Sequence, residues 1–248
     1  MIGRSLMLSI LWIFFVSFSS AQVTKIDYVG TFGVFGKVAM LKTKMTKKSS
    51  RYELVTDLEV HGIAKLILDN HEEQHISKGH VVNGLMVSDD YTIKQNRGSK
   101  KVLKEYTFDH KQKKVTKRVR KWQKGKLVKD KKETLKFYAR DDLLTLYFNL
   151  NNAIKDKKKG KSYLFRSAGL EKQDGKAYIT IPDSTKLPVY KKDLGTTALR
   201  YAKILIHQRN FRKKKGDILL SVAKDGFIEK AVIKDVLLYG DARIERVR

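Results

Sequence analysis

The chain reads as a mainly β protein. The expected form is a single curved antiparallel sheet, or half-open β-barrel, of about ten strands with one or two short helices on the concave side. Three observations carry this expectation. Apolar residues recur at period two over most of the length, turn-forming pairs such as Lys124-Gly125 and Asp225-Gly226 punctuate the pattern, and only two segments show helical spacing. With helices so few and so far apart, an alternating βαβ architecture is not expected, because parallel crossovers usually carry a helix.

The first strand region has the strongest alternation. From Ile26 to Met40 the even positions read Ile26, Tyr28, Gly30, Phe32, Val34, Gly36, Val38 and Met40, with Asp27, Thr31 and Lys37 on the other side. Fifteen extended residues would span about 50 Å, too far for one flat strand in a domain of this size. Gly30, Gly33 and Gly36 therefore predict a sharp bend or a tight reversal near Gly33. Tyr52, Leu54, Leu58 and Val60 then alternate with Arg51, Glu53, Asp57 and Glu59. Further strands are expected at 75–87, 91–95, 103–109, 114–121 and 127–129, with turns at Asp89-Asp90, Arg97-Gly98 and Lys124-Gly125.

The second half adds strands at 162–166, 176–181, 197–208, 217–223, 227–239 and 242–247. Asp225-Gly226 predicts a two-residue hairpin turn. Asp141 or Asp142 is placed to cap a helix in which Leu143, Leu146, Tyr147, Leu150 and Ile154 share one side, with Leu144 and Phe148 on the adjacent side. A second helix is expected at 62–70 on the spacing of Ile63, Leu66 and Ile67. Pro182 and Pro188 flank a stretch, 182–196, that reads as irregular.

Residues 1–21 have the form of a secretory leader: Arg4, an apolar run from Leu6 to Phe18, then Ser19-Ser20-Ala21 as a cleavage site. The expectation is export to the bacterial periplasm, leaving residues 22–248 as a single β-rich domain. The chain has no cysteine, which excludes lipid attachment through a lipobox, thiol catalysis and thiolate metal sites. Loss of Arg4 leaves 52 Lys and Arg against 26 Asp and Glu, a net charge of +26. The basic runs at 111–114, 117–121, 129–132, 155–161 and 209–215 suit solvated strand edges, where lysine discourages edge pairing. They also suit attraction to anionic lipid or cell-wall polymer. Nucleic acid is not expected as a partner, since the aromatic residues follow strand alternation and form no base-stacking motif.

Ile26-Asp27-Tyr28-Val29-Gly30 with Phe35-Gly36-Lys37-Val38-Ala39, the central Asp141-Asp142-Leu143-Leu144-Thr145-Leu146-Tyr147, and the run from Asp225 to Gly240 together resemble the bacterial exported family called domain of unknown function 3108. Phe227-Ile228-Glu229-Lys230 departs from the proline usual in that family's last hairpin, and Phe148-Asn149 stands where arginine often follows. The resemblance implies a periplasmic fold similar to the half-barrels of lipoprotein carriers, and it implies no catalytic residues.

The sharpest chemical motif is His71-Glu72-Glu73-Gln74-His75, which matches H-E-x-x-H. On a helix, His71 and His75 would share a face and hold one zinc while Glu72 activated water, giving a metalloprotease. The charge at Glu73 and the lack of a third ligand in the extended pattern, where Lys78 and Val81 stand, argue against it. His61, His80, His110 and His207 follow no ligand spacing, and no nucleophile elbow or phosphate loop occurs. Asp141 and Asp142 read as a helix cap before they read as an acid–base pair. The remaining candidate is apolar. A helix that closes a curved sheet incompletely leaves a cleft, with Leu143, Leu144, Leu146, Tyr147, Phe148 and Leu150 as its wall. The functional expectation is therefore a non-enzymatic protein, without cofactor or metal, that binds or chaperones an apolar or amphiphilic envelope molecule. A basic envelope scaffold is the alternative, and a zinc hydrolase the lesser one.

Overall fold

The computed structural model describes residues 20–67, 69–154, 158–206, 216–234 and 240–247. Almost all of the leader-like segment, His207 and the basic run at 209–215 lie outside the described residues. The chain is mainly β, and the described strands form one sheet of fifteen rather than about ten. β1 (Gln22–Phe32), β2 (Lys37–Lys48), β3 (Arg51–Val60), β4 (Glu72–Val82), β5 (Leu85–Arg97), β6 (Lys100–Asp109), β7 (Lys114–Gln123) and β8 (Lys126–Thr134) are successive antiparallel neighbours. β9 (Asp141–Asp142) opens the second half and pairs in parallel with β10 (Ser162–Ala168). β11 (Lys176–Thr180), β12 (Arg200–Ile206), β13 (Gly216–Val222), β14 (Ile228–Ile233) and β15 (Ala242–Arg246) return, again antiparallel, until β15 pairs with β1. The first and last of the described strands thus lie side by side in mid-sheet, and the middle of the described chain supplies both sheet edges.

Among the described residues three α-helices accompany the sheet: α1 (Gly62–Ile67), α2 (Leu143–Ala153) and α3 (Leu187–Leu194). Among the described residues no helix is long and apolar enough to cross a membrane. The sheet curls about α2. Leu150 and Ile154 pack with Ile179, Ala202 and Leu220 on one side, while Phe148 packs with Ile26, Tyr28, Tyr52 and Leu54 on the other. One helix thereby supplies apolar surface to both halves of the sheet, which is why the core forms around it.

Several elements differ from the sequence expectation for identifiable reasons. The reversal near Gly33 is present, with Gly33 and Gly36 at positive φ. The even-numbered apolar face does not survive it, because Tyr28 pairs with Leu41 and Ile26 with Thr43. Odd positions of β2 therefore face the core. The segment 75–87 is not one strand: Asn83-Gly84, both at positive φ, turns β4 into β5. Asp89-Asp90 lies inside β5 instead of forming a turn, and Asp89 is the extra residue of a bulge facing Lys78 and Gly79. Asp225-Gly226 sits in a longer connection, in which Ala223 and Phe227 form the closing backbone bond and Gly226 takes φ 87°. The stretch 182–196 contains α3, whose first turn holds Pro188 where no backbone donor is needed. Tyr190 and Leu194 anchor that helix on Tyr201, Leu219 and Val232.

Gly79 is the most closely confined of the described glycines. A Cβ there would lie 1.9 Å from the Val87 carbonyl oxygen and 2.8 Å from the Tyr52 ring. Gly79→Ala is expected to lower the unfolding free energy by about 2 kcal/mol or more, measured by urea denaturation, because backbone of the paired strand has to move.

Candidate functional site

The site begins with the cap of α2. Asp142 is extended (φ −81°, ψ 173°), and its Oδ1 accepts the Thr145 backbone N–H at 2.9 Å. Its Oδ2 accepts from the hydroxyls of Ser77 at 2.5 Å, Ser88 at 2.7 Å and Thr145 at 2.9 Å, and the Ser88 hydroxyl in turn accepts the Asp142 N–H. Tyr52 extends this network to Ser77 and Thr145. Burial pushes the Asp142 carboxyl upward, against the opposing pull of these donors.

Two turns along the helix, Asn149 makes a second clamp. Its Nδ2–H donates to the Met86 carbonyl at 2.7 Å, and its Oδ1 accepts the Met86 N–H at 3.0 Å, as a paired strand would. Asp141 forms a bidentate pair with Arg140 at 2.6 and 2.7 Å. The two aspartates have separate structural partners.

Between the clamped helix and the sheet lies an apolar cavity of about 210 Å³. Leu143, Leu144, Tyr147 and Phe148 form its helical wall. Leu146 and Leu150 do not face it. Leu146 packs with Leu170 and Ala177, and Leu150 with Ile179 and Leu220, so both belong to the core. The sheet wall, which the sequence patterning did not single out, includes Leu41, Thr43, Thr56, His75 and Tyr91. The Thr43 and Thr56 hydroxyls face each other at 2.9 Å across β2 and β3. The alternation of β2 would have located Thr43 only once its pairing parity was known.

His75 enters the cavity wall through a polar chain. The stretch 71–75 leads into β4 and is not helical, so His71, Glu73 and His75 share one face and Glu72 points to the other. The helical geometry of the zinc-protease pattern is therefore not formed. Glu73 lies between the two histidines: His75 Nε2–H donates to Oε1 at 2.6 Å and His71 Nε2–H to Oε2 at 3.0 Å. Gln95 donates at 2.7 Å, and the Tyr91 hydroxyl lies 2.5 Å from His75 Nδ1. Burial disfavours the charge on Glu73, but hydrogen bonds and charge from His75, then Gln95 and His71, outweigh it and hold the carboxyl at about 2. Among the described residues no group of three or more His, Cys, Asp or Glu is arranged to hold a metal ion.

His80 and His110 come together at the rim of a second cleft of about 870 Å³, beside Tyr138, Arg140 and Arg166. Each has structural partners there: His80 Nδ1 lies 2.9 Å from Asp89, and His110 bonds Tyr138 and the Ser88 carbonyl. His61 follows β3 at the surface, 4.0 Å from Glu59.

No family model and no characterised protein matches the chain, so the resemblance to the domain of unknown function 3108 is not supported at the level of that family. The fold is matched. The chain is similar to the crystal structure of a beta-barrel-like protein of domain of unknown function DUF1849 from Brucella abortus, with TM-score 0.50, 10% identity, and coverage of 90% of this chain and 95% of that one. The class defined is a barrel-like β fold, and the likeness extends no further than fold.

Two outcomes are expected from these networks. Asp142→Ala strands four donors in the protein interior and should cost about 3 kcal/mol in urea unfolding, with hydrogen exchange rising first across α2. Glu73 has a folded pKa far below its unfolded value of 4.5. Its contribution is thus complete above that value and is lost as pH falls from about 4.5 toward 2. Glu73→Gln should flatten that part of the stability–pH curve, followed by urea unfolding between about pH 2 and 5.

Proposed function

We propose that the chain is a non-enzymatic cell-envelope protein, exported to the periplasm by residues 1–21, that holds an apolar or amphiphilic molecule between α2 and the sheet. The observation that carries this reading is the apolar cavity beside Leu143, Leu144, Tyr147 and Phe148. Protein cores pack to a density of about 0.75, and a gap of this size left in one costs on the order of several kcal/mol. A fold that clamps its helix by Asp142 and Asn149 yet keeps the gap open is suited to having it filled.

Size and wall chemistry define the ligand class. An apolar cavity of about 150 Å³ takes a benzene ring, so about 210 Å³ takes a ring or a short stretch of acyl chain. A longer molecule would leave its polar end outside. The finer resemblance to exported proteins and lipoprotein-carrier half-barrels points the same way.

The test is extraction and mass analysis of protein purified from the envelope, together with displacement of a fluorescent fatty acid in vitro. Bound apolar molecules are expected, and Leu144→Trp should fill the space and reduce binding about tenfold without lowering the unfolding midpoint. Protein that emerges empty and fails to take up the probe would overturn the reading.

A further inference from the structure

The sheet continues past its core. Tyr91, Ile93, Tyr106, Phe108 and Val115 form the last cluster on the β5–β7 side, and no buried cluster uses a residue from 94–104 or 117–132. In these two segments fourteen Lys and Arg stand against one acid, Asp130. Half of the excess charge of residues 22–248 is therefore concentrated in one four-stranded projection. Among the described residues Lys100, Lys101, Lys121, Lys124, Lys126, Lys129 and Lys132 make no ion pair.

The end of this projection is also apolar. The hairpin turns at Gly98-Ser99 and Lys124-Gly125 meet, joined by Lys124 N–H to the Ser99 carbonyl and Gln123 to the Ser99 hydroxyl. Lys101 pairs with Trp122, and Trp122 pairs with Leu127, so all three share the sheet face opposite the core together with Leu103. Leu103 and Trp122 line an open groove of about 430 Å³ with Lys94 and Lys101. The Arg120 guanidinium lies 5.9 Å from the Trp122 ring. Leu127 is 53% exposed, and Val128, extruded at the bulge, is 63% exposed.

Guarding the edge strand against pairing would explain lysines on β8. It explains neither the cations on β5–β7 nor the half-buried Trp122 beside the exposed Leu127 and Val128. Tryptophan and leucine set among cations are what an anionic bilayer surface accepts, the ring at headgroup depth and the ammonium groups against phosphate. We infer that the β5–β8 tip docks this protein on an anionic lipid bilayer, through Trp122, Leu127 and Val128 framed by Lys101, Arg120 and Lys126. The inference stands apart from the cleft and uses none of its residues.

The chain from residue 22 onward holds every strand of the described sheet and has Trp122 as its single tryptophan. It is to be mixed with vesicles of phosphatidylcholine alone and with vesicles containing about one-third phosphatidylglycerol. The expected result is binding to the anionic vesicles only, with a blue shift of Trp122 emission and at least about tenfold weaker binding at high salt. Lys101→Glu with Lys126→Glu should weaken binding about tenfold. Lys191→Glu with Lys192→Glu on α3 should leave it unchanged, and Trp122→Ala should weaken it with the unfolding midpoint retained. Equal binding to neutral vesicles, an unshifted Trp122, equal loss in the α3 variant, or capture by soluble polyanions without vesicle binding would each overturn it. Leu144→Trp separates the two readings, since it blocks the cleft and should not affect vesicle binding.

Discussion

A helix laid against the inside of a sheet must satisfy the donors of its first turn where water does not reach. Here Asp142 does so, and the rest of the architecture follows from it. Its carboxylate ties the start of α2 to Ser77 on β4 and Ser88 on β5, and Asn149 repeats the attachment further along β5. Once fixed there, α2 can touch the returning strands only if the sheet bends around it. The Leu146, Leu150 and Ile154 side then closes the second half of the core. A buried carboxylate without these donors would be costly, so the serines and threonine are as necessary to the fold as the leucines.

The Asp89 bulge opposite Gly79 belongs to the same arrangement. It lets β5 approach β4 so closely that no side chain fits between Val87 and Tyr52. Tyr52 can then reach Ser77 and Thr145. The space left between the helix and β2–β5 is the apolar cavity, bounded by His75 and Tyr91. Glu73 keeps both histidines engaged. The motif that suggests zinc chemistry thus serves as a polar brace behind an apolar wall.

The charge of the chain is not spread as a uniform solvated coat. The β5–β8 projection carries much of it where the sheet runs out beyond the core, and a folded domain tolerates such a field because the strands splay it into solvent. Elsewhere some basic groups sit among acids, as where Lys234 lies 2.8 Å from both Asp193 and Asp241. Separating an apolar cleft inside from a basic, tryptophan-tipped edge outside gives one small fold two distinct surfaces.

Much of this was legible in the residues themselves. Period-two alternation identifies the strands, the Gly33–Gly36 region the reversal, and Asp142 before an apolar helical stripe the cap, because each is a local matter of backbone geometry and of a polar side chain's reach. Local signals place the turn between β4 and β5 at Asp89-Asp90, whereas Asn83-Gly84 makes it, and they do not reveal the two-residue strand Asp141-Asp142 that pairs with β10. Which face a strand buries depends on the parity of its pairing. This is why Thr43 lies inside and Met40 does not follow Tyr28. The sequence by itself determined that a helix with two apolar sides must sit against a sheet. Only the tertiary structure decided that Leu144 and Phe148 face a gap while Leu146 and Leu150 are sealed, and that Trp122 and the lysines share a tip. Those outcomes rest on contacts between residues far apart in the chain, and local spacing does not encode them.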